Sequence, residues 1–289
     1  MVFKKIKIFL EMIKFEHTIF ALPFAYVGAL LTEKKIPSAY DLIWITLAMV
    51  GARTAAMSLN RIIDRKIDAR NPRTAGRALP RGLLNVAEVW FYVFLSFILL
   101  LYSASRLSPL AIRLFPLAVL VLFIYSYTKR FTWASHMVLG AALGLAPLGS
   151  WIAIAGRFDI APVLLATGVL FWVAGFDIIY ACDDYEFDRR EGLYSIPARY
   201  GIKKALYISS LFHILAPILF LAAGIILNLG VLYMAGIVVA VAILFYQHKL
   251  VSPNDLSRAG IAFFNLNGIL SVLVFIFTFL DVMFPLHLF

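Results

Sequence analysis

Nine stretches of mostly apolar residues dominate the chain, near 15–32, 41–60, 85–105, 109–127, 133–155, 160–182, 204–227, 229–248 and 259–284. A bilayer core about 30 Å thick takes roughly 20 such residues per crossing helix, and a helix satisfies its own backbone polar groups there. The pattern predicts an all-α, polytopic membrane protein over 1–289, with nine transmembrane helices bundled around a central cavity and capped by cytoplasmic loops. Composition agrees. The 289 residues are 63% hydrophobic and 15% charged, where a soluble domain carries about 25% charge. The first stretch follows Lys4, Lys5, Lys7 and Lys14 but lacks a small-residue cleavage site, so it reads as a retained helix rather than a signal peptide. One cysteine, Cys182, excludes a disulfide scaffold.

The formal net charge is nevertheless +10, from 26 Lys+Arg against 16 Asp+Glu. Alternating nine spans places twenty of the basic residues on the side of the N-terminus and five on the other, with Arg53 inside a span. The positive-inside rule makes the richer side cytoplasmic, with the N-terminus inside and the C-terminus outside a cell (inner or plasma) membrane. Topology accounts for most of this charge. Nucleic-acid binding is not expected, because no soluble domain presents the basic cluster.

Topology does not explain the carboxylates. The second stretch ends Asn60-Arg-Ile-Ile-Asp64-Arg-Lys-Ile-Asp68, and the sixth ends Asp177-Ile-Ile-Tyr180-Ala-Cys-Asp183-Asp184-Tyr-Glu186-Phe-Asp188. Residues four apart on a continuing helix lie about 40° apart in azimuth and about 6 Å in height. Asp64/Asp68 and Asp184/Asp188 would then each aim two like charges at one spot, which requires a positive partner. One reading is local pairing, such as Asp64 with Arg61 or Arg65. The other is Mg²⁺, which prefers oxygen ligands and combines one or two carboxylates with substrate phosphate oxygens. Acidic residues at a membrane are costly, and duplicated pairs favour the second reading.

Between the two acidic stretches lies Asn71-Pro-Arg73-Thr-Ala-Gly-Arg77-Ala-Leu-Pro80-Arg81-Gly82, predicted as a structured loop or short broken helix. Its arginines recur every four residues, and a guanidinium fork matches phosphate oxygens. Lys129 and Arg130, in the turn Tyr125-Ser-Tyr-Thr-Lys-Arg-Phe131, add basic groups on the same side. Together with the carboxylates these residues read as a diphosphate site.

The strings resemble the UbiA superfamily of intramembrane prenyltransferases. Asn60-x-x-x-Asp64-x-x-x-Asp68 with Asn71-Pro-Arg-Thr-Ala-Gly-Arg77 is similar to its first signature. Asp177-x-x-Tyr180-x-x-x-Asp184-x-x-x-Asp188 with Ser195-Ile-Pro-Ala-Arg199-Tyr-Gly201 is similar to its second. The first motif occupies 60–82 and the second 177–201, and the branch most resembled is that of 4-hydroxybenzoate polyprenyltransferases. The resemblance implies transfer of a polyprenyl group from polyprenyl diphosphate to a small aromatic acid, 4-hydroxybenzoate for quinone synthesis or a dihydroxynaphthoate for menaquinone. It implies Mg²⁺ on Asp64, Asp68, Asp184 and Asp188, and diphosphate on Asn60, Arg73, Arg77, Lys129, Arg130 and Tyr180. The competing class is a cation or proton transporter, whose acids should sit near mid-helix and line a path through both faces.

The acceptor site is less defined. Arg53 lies seven residues before Asn60 on nearly the same face, where it can take a carboxylate or pair with an acidic neighbour. Lys14, Glu16 and His17 open the first stretch within reach of a cavity. Asp177, a turn before Tyr180, is a further acceptor candidate.

Overall fold

The computed structural model describes residues 2–15 and 21–286. Glu16, His17 and part of the first predicted span lie outside the described residues. Apolar runs broken by Ser, Asn, Gly and Pro fold into helices α1 (Val2–Met12), α2 (Leu22–Glu33), α3 (Ala39–Arg70), α4 (Val86–Ser105), α5 (Pro109–Tyr125) and α6 (Ser135–Ala155). Helices α7 (Ile160–Ala181), α8 (Tyr185–Glu191), α9 (Ile196–Tyr200), α10 (Ile202–Ile226), α11 (Val231–Lys249) and α12 (Ala259–Met283) follow. The described residues contain no β-strand, only an isolated bridge between Ser252 and Asp255. The chain is thus an all-α, multi-pass membrane protein.

Apolar helices occupy all nine predicted stretches, but with unequal lengths. Among the described residues seven helices are long and apolar enough to cross a bilayer. The elements matching the first and fourth predicted spans are shorter, α2 with 12 residues and α5 with 17. At 1.5 Å per residue these cover about 18 and about 26 Å, short of a full hydrocarbon core. Lys34, in the left-handed conformation at φ 50°, ends α2. Ser108 and Pro109 fix the start of α5, the Ser108 hydroxyl accepting from the Ala111 N–H at 3.2 Å.

Helix α7 runs through the middle of the bundle. Its Val169, Trp172, Val173 and Phe176 pack with Phe24 of α2, Phe220 of α10, Tyr233 of α11 and Leu270 of α12. Without water between helices, close backbone approach replaces the hydrophobic drive. Gly140 and Gly144 of α6 supply it: a Cβ there would lie 2.3 Å from the Leu170 carbonyl oxygen and 2.6 Å from that of Ala166. Buried polar groups tie the far helices together. Asn267 Oδ1 accepts from Trp172 Nε1 at 2.9 Å and from Gln247 Nε2 at 2.8 Å. Asp281 accepts the Gly230 and Tyr233 N–H groups at 2.8 and 3.1 Å, satisfying donors at the start of α11.

Three features position the site at one end of the bundle. Helix α3 runs on to Arg70, so Asn60, Asp64 and Asp68 stay in helical register. Residues 71–84 form consecutive turns without a regular helix, as the prolines and glycines predict, and Asn85 with Glu88 closes a capping box at α4. The second motif departs from expectation. Helix α7 stops at Ala181, and a 3₁₀ turn over Cys182–Asp184 separates it from α8, so Asp184 and Asp188 do not share one continuous helix.

Candidate active site

The α3 carboxylates are held from above by segments distant in sequence. Asp64 is buried and accepts from Lys129 Nζ at 2.6 Å, Arg130 Nη2 at 2.9 Å and Asn60 Nδ2 at 3.0 Å. Arg130 is fixed in turn by donating to the Ser126 and Ile63 carbonyls at 2.8 and 2.9 Å. One turn on, Asp68 Oδ1 accepts from Arg77 Nη1 at 2.7 Å. Asp68 Oδ2 is buried and has no hydrogen-bond partner.

The second motif is clamped the same way. Asp184 receives Asn71 Nδ2 and Arg73 Nε, each at 3.0 Å, and Arg73 Nη2 on its other oxygen. Arg73 Nη1 donates to the Tyr180 hydroxyl at 2.5 Å, and the guanidinium sits 4.8 Å from the Tyr180 ring centroid. Burial alone would lower the Arg73 pKa, but the hydrogen bond and charge of Asp184 outweigh it and hold the group above its ordinary value. Asn71 also accepts from the Arg73 N–H at 2.9 Å, a local turn that aims the arginine at Asp184. Asp188 lies near Ser195, Asp184, Lys129 and His136.

The structure therefore brings Asn60, Asp64, Asp68, Arg73, Arg77, Lys129, Arg130, Tyr180, Asp184 and Asp188 to one end of the bundle. The local pairing that the sequence offered as an alternative is not the one adopted. Asp64 does not pair with Arg61 or Arg65. Arg61 Nε instead donates to the Met12 carbonyl at 3.2 Å, at the end of α1 where helix carbonyls lack internal partners. Among the described residues no group of three or more His, Cys, Asp or Glu is arranged to hold a metal, and Asp184, Asp68 and Asp64 each meet a lysine or arginine.

Below this polar layer opens a cavity of about 1160 Å³. Asn60, Arg73, Arg77 and Tyr180 line its mouth, and Ala146, Gly149, Ala153 and Leu107 its depth. From Arg61 to Ile45, both in its wall, α3 rises about 24 Å. The acceptor candidates Lys14, Arg53 and Asp177 line the same cavity. Arg53 Nη1 donates to the Ile13 carbonyl at 3.2 Å, so two successive carbonyls, at the last residue of α1 and the one after it, orient two arginines of this wall.

Similarity settles the family. The UbiA prenyltransferase family model matches residues 21–269. The chain belongs to the UbiA prenyltransferase family. The apo structure of a UbiA homolog from Aeropyrum pernix K1 superimposes with a TM-score of 0.83 at 35% identity, over 90% of this chain and 95% of that one. A UbiA homolog from Archaeoglobus fulgidus bound to GPP and Mg²⁺ shares the fold, with a TM-score of 0.76 at 19% identity over 96% and 99% of the two chains. The 4-hydroxybenzoate octaprenyltransferase of Pseudoalteromonas translucida is 30% identical over 240 residues, 83% of this chain and 82% of that protein.

One residue of this UbiA site escaped sequence reasoning. His136 is buried at the start of α6, its Nδ1 2.7 Å from Asp177 Oδ2 and its Nε2 3.3 Å from the Ile196 N–H. The available signal was a histidine opening an apolar span just after the Lys129-Arg130 turn, where ionisable residues are expensive.

Proposed function

We propose that the protein transfers a polyprenyl group from polyprenyl diphosphate to the ring of an aromatic acid, 4-hydroxybenzoate first among the candidates. One observation carries the reading: alternating carboxylates and cations stand at the mouth of a long apolar cavity. The mouth suits a diphosphate and the cavity an isoprenoid tail. The names of the relatives, 4-hydroxybenzoate octaprenyltransferases, support the acceptor class. The carboxylates cluster at one end rather than along a path through the bundle, which speaks against an ion transporter.

In this reading Arg73, Arg77, Lys129 and Arg130 exchange carboxylate partners for diphosphate oxygens, and Asn60 adds a hydrogen bond. Held so, the allylic carbon is fixed at the top of the cavity, which is the positioning that such transfer needs. Tyr180, Tyr125 and Phe176 line the cavity and present aromatic faces to positive charge developing on that carbon. The apolar wall keeps water from quenching it.

The donor set also fits Mg²⁺. Asp64, Asp68, Asp184 and Asp188 supply only oxygen, and buried Asp68 Oδ2 is an acceptor with no protein donor. The A. fulgidus homolog was solved with Mg²⁺ and GPP. When bound at these carboxylates, Mg²⁺ supplies charge neutralisation for the leaving diphosphate. The excess of basic residues at this end supports its placement on the cytoplasmic side of a cell membrane, with the N-terminus inside.

The test uses membranes containing the protein, a polyprenyl diphosphate, Mg²⁺ and a panel of hydroxybenzoates and hydroxynaphthoates, with products read by mass spectrometry. Expected is a prenylated acid that disappears in Asp64→Ala, in Asp184→Ala and in excess EDTA. Turnover surviving all three overturns the metal-assisted diphosphate site, and the acceptor that reacts decides between benzoate and naphthoate.

A further inference from the structure

The surface of α1 divides into three sectors. At about 100° per residue, Phe9, Met12 and Ile13 share about 100° of azimuth. All three are buried, packed with Leu59 and Ile62 of α3 and Val89 and Val93 of α4. Phe9 stacks on Tyr92 with ring centroids 4.1 Å apart, and Lys5, in the same sector, pairs with Glu88. The next sector, about 60° wide, holds Phe3, Ile6 and Leu10, and these are exposed, Phe3 at 88%. The third, also about 60° wide, holds Lys4, Lys7 and Glu11. These are exposed too, with Lys7 Nζ 3.9 Å from Glu11.

A strip of large exposed apolar side chains edged by lysines is what a helix lying in a bilayer interface presents. The level of α1 along the bundle agrees. It packs beside Val89, Tyr92 and Val93 in the first turns of α4, where Trp90, Phe91 and Phe94 are themselves exposed. An indole at the start of a span marks the headgroup level. The occupant of the strip is therefore apolar on its α4 edge and anionic on its lysine edge, which is an anionic lipid surface. The other end of α1 reaches the cavity, with Ile8, Glu11 and Met12 in its wall. The Met12 and Ile13 carbonyls accept from Arg61 Nε and Arg53 Nη1, each at 3.2 Å. Arg61 Nη1 donates onward to Asn60 Oδ1 at 3.1 Å, and Asn60 Nδ2 to Asp64 at 3.0 Å. A hydrogen-bonded chain thus runs from the end of α1 to a carboxylate at the mouth.

We propose that α1 couples the charge of the surrounding membrane to the order of the site. Seated on an anionic bilayer, with Phe3, Ile6 and Leu10 in the acyl boundary and Lys4 and Lys7 among the headgroups, α1 holds Arg61 and Arg53 in the cavity wall. Through Arg61 and Asn60 it also holds Asp64. Lifting α1 withdraws two carbonyl acceptors from these arginines, and Arg61 is buried, where a lost partner is costly. Seat and site therefore order together. Each lysine near an anionic surface favours the seated state by about fivefold. The consequence for turnover rests on the prenyl-transfer reading above; the seating of α1 does not.

The experiment uses the full chain in nanodiscs of phosphatidylcholine, with or without phosphatidylglycerol, and nitroxide labels on Phe3→Cys, Ile6→Cys, Leu10→Cys, Lys4→Cys and Lys7→Cys in turn. In the anionic discs the first three labels are expected to collide mainly with oxygen and the last two with a water-soluble nickel chelate. The ratio of immersed to aqueous label in Ile6→Cys falls at least about fivefold in neutral discs, and adding Lys4→Gln shrinks that lipid response about fivefold. Turnover of unlabelled protein with a polyprenyl diphosphate and 4-hydroxybenzoate rises with the anionic lipid, and Lys4→Gln blunts the rise. The inference is overturned by nickel access at all five positions, by an immersed fraction equal in both lipids, or by turnover that ignores the lipid while the label responds. It is also overturned by spin–spin broadening at position 6 that unlabelled protein relieves, which gives the strip to a second copy. A protein that seats α1 as expected yet prenylates no acceptor in either lipid overturns the prenyl-transfer reading instead.

Discussion

Replacing Asp68 by asparagine separates holding the fold from binding substrate. In the substrate-free protein Asp68 is buried, with Oδ1 on Arg77 at 2.7 Å and Oδ2 without a partner. Asparagine keeps an acceptor for Arg77. A charge-assisted hydrogen bond is roughly twice a neutral one, so this exchange costs about 1 kcal/mol, taking 1.5–3 kcal/mol for the charged bond. Against it stands relief of a buried anion, whose desolvation costs several kcal/mol. Asp68→Asn should therefore unfold within about 1 kcal/mol of wild type when no ligand is present, on the balance of these terms. Ligand linkage should behave differently. A prenyl thiodiphosphate with Mg²⁺ at 100 times its Kd adds about 2.7 kcal/mol to wild type. A variant whose Kd has risen 100-fold gains only about 0.4 kcal/mol by the same relation. Thermal unfolding in detergent, with and without ligand, reads both quantities. A variant that loses more than about 2 kcal/mol unliganded, yet keeps the full ligand increment, would show that Asp68 serves packing and refute this argument.

Further outcomes follow from the same geometry. Gly149 lines the deep part of the cavity and a Cβ there meets nothing within 4 Å, so Gly149→Phe should fold normally, use a C10 prenyl diphosphate and lose a C40 one at least about tenfold, given the few kcal/mol that overpacking costs; competition between the two substrates checks it. Asp281→Ala strips two N–H groups at the start of α11 of their acceptor and should cost about 1–3 kcal/mol in thermal unfolding, with kcat/KM unchanged in the surviving protein. Gly140→Val forces a side chain against the Leu170 carbonyl and should destabilise by at least about 1–3 kcal/mol, seen as a lower Tm. Lys129→Met leaves Asp64 with Arg130 and should raise the KM for prenyl diphosphate about tenfold, as for loss of a contact worth about 1.4 kcal/mol; steady-state kinetics measure it.

Periodicity and length carried much of this protein. Apolar stretches gave the helical membrane class, because a bilayer admits few other backbones. Spacing of four put Asn60, Asp64 and Asp68 in helical register, because a helix repeats every 3.6 residues. Breakers predicted the irregular 71–84 segment, and the ordered strings identified the family. The same local logic failed where a decision depended on distant atoms. It continued a helix through Asp184 and Asp188, where a 3₁₀ turn intervenes.

What tertiary structure decided was the choice of partners. Arg61 and Arg65 flank Asp64 in sequence, yet Arg61 is drawn to the orphan carbonyl of Met12 and Asp64 to Lys129 and Arg130, more than sixty residues away. Asp177 and His136 are 41 residues apart and meet only because α6 and α7 approach through Gly140 and Gly144. A sequence fixes which charges exist and which helix end carries them. Which cation reaches which carboxylate is a matter of a few ångströms between separate helices, and only their packing sets that distance.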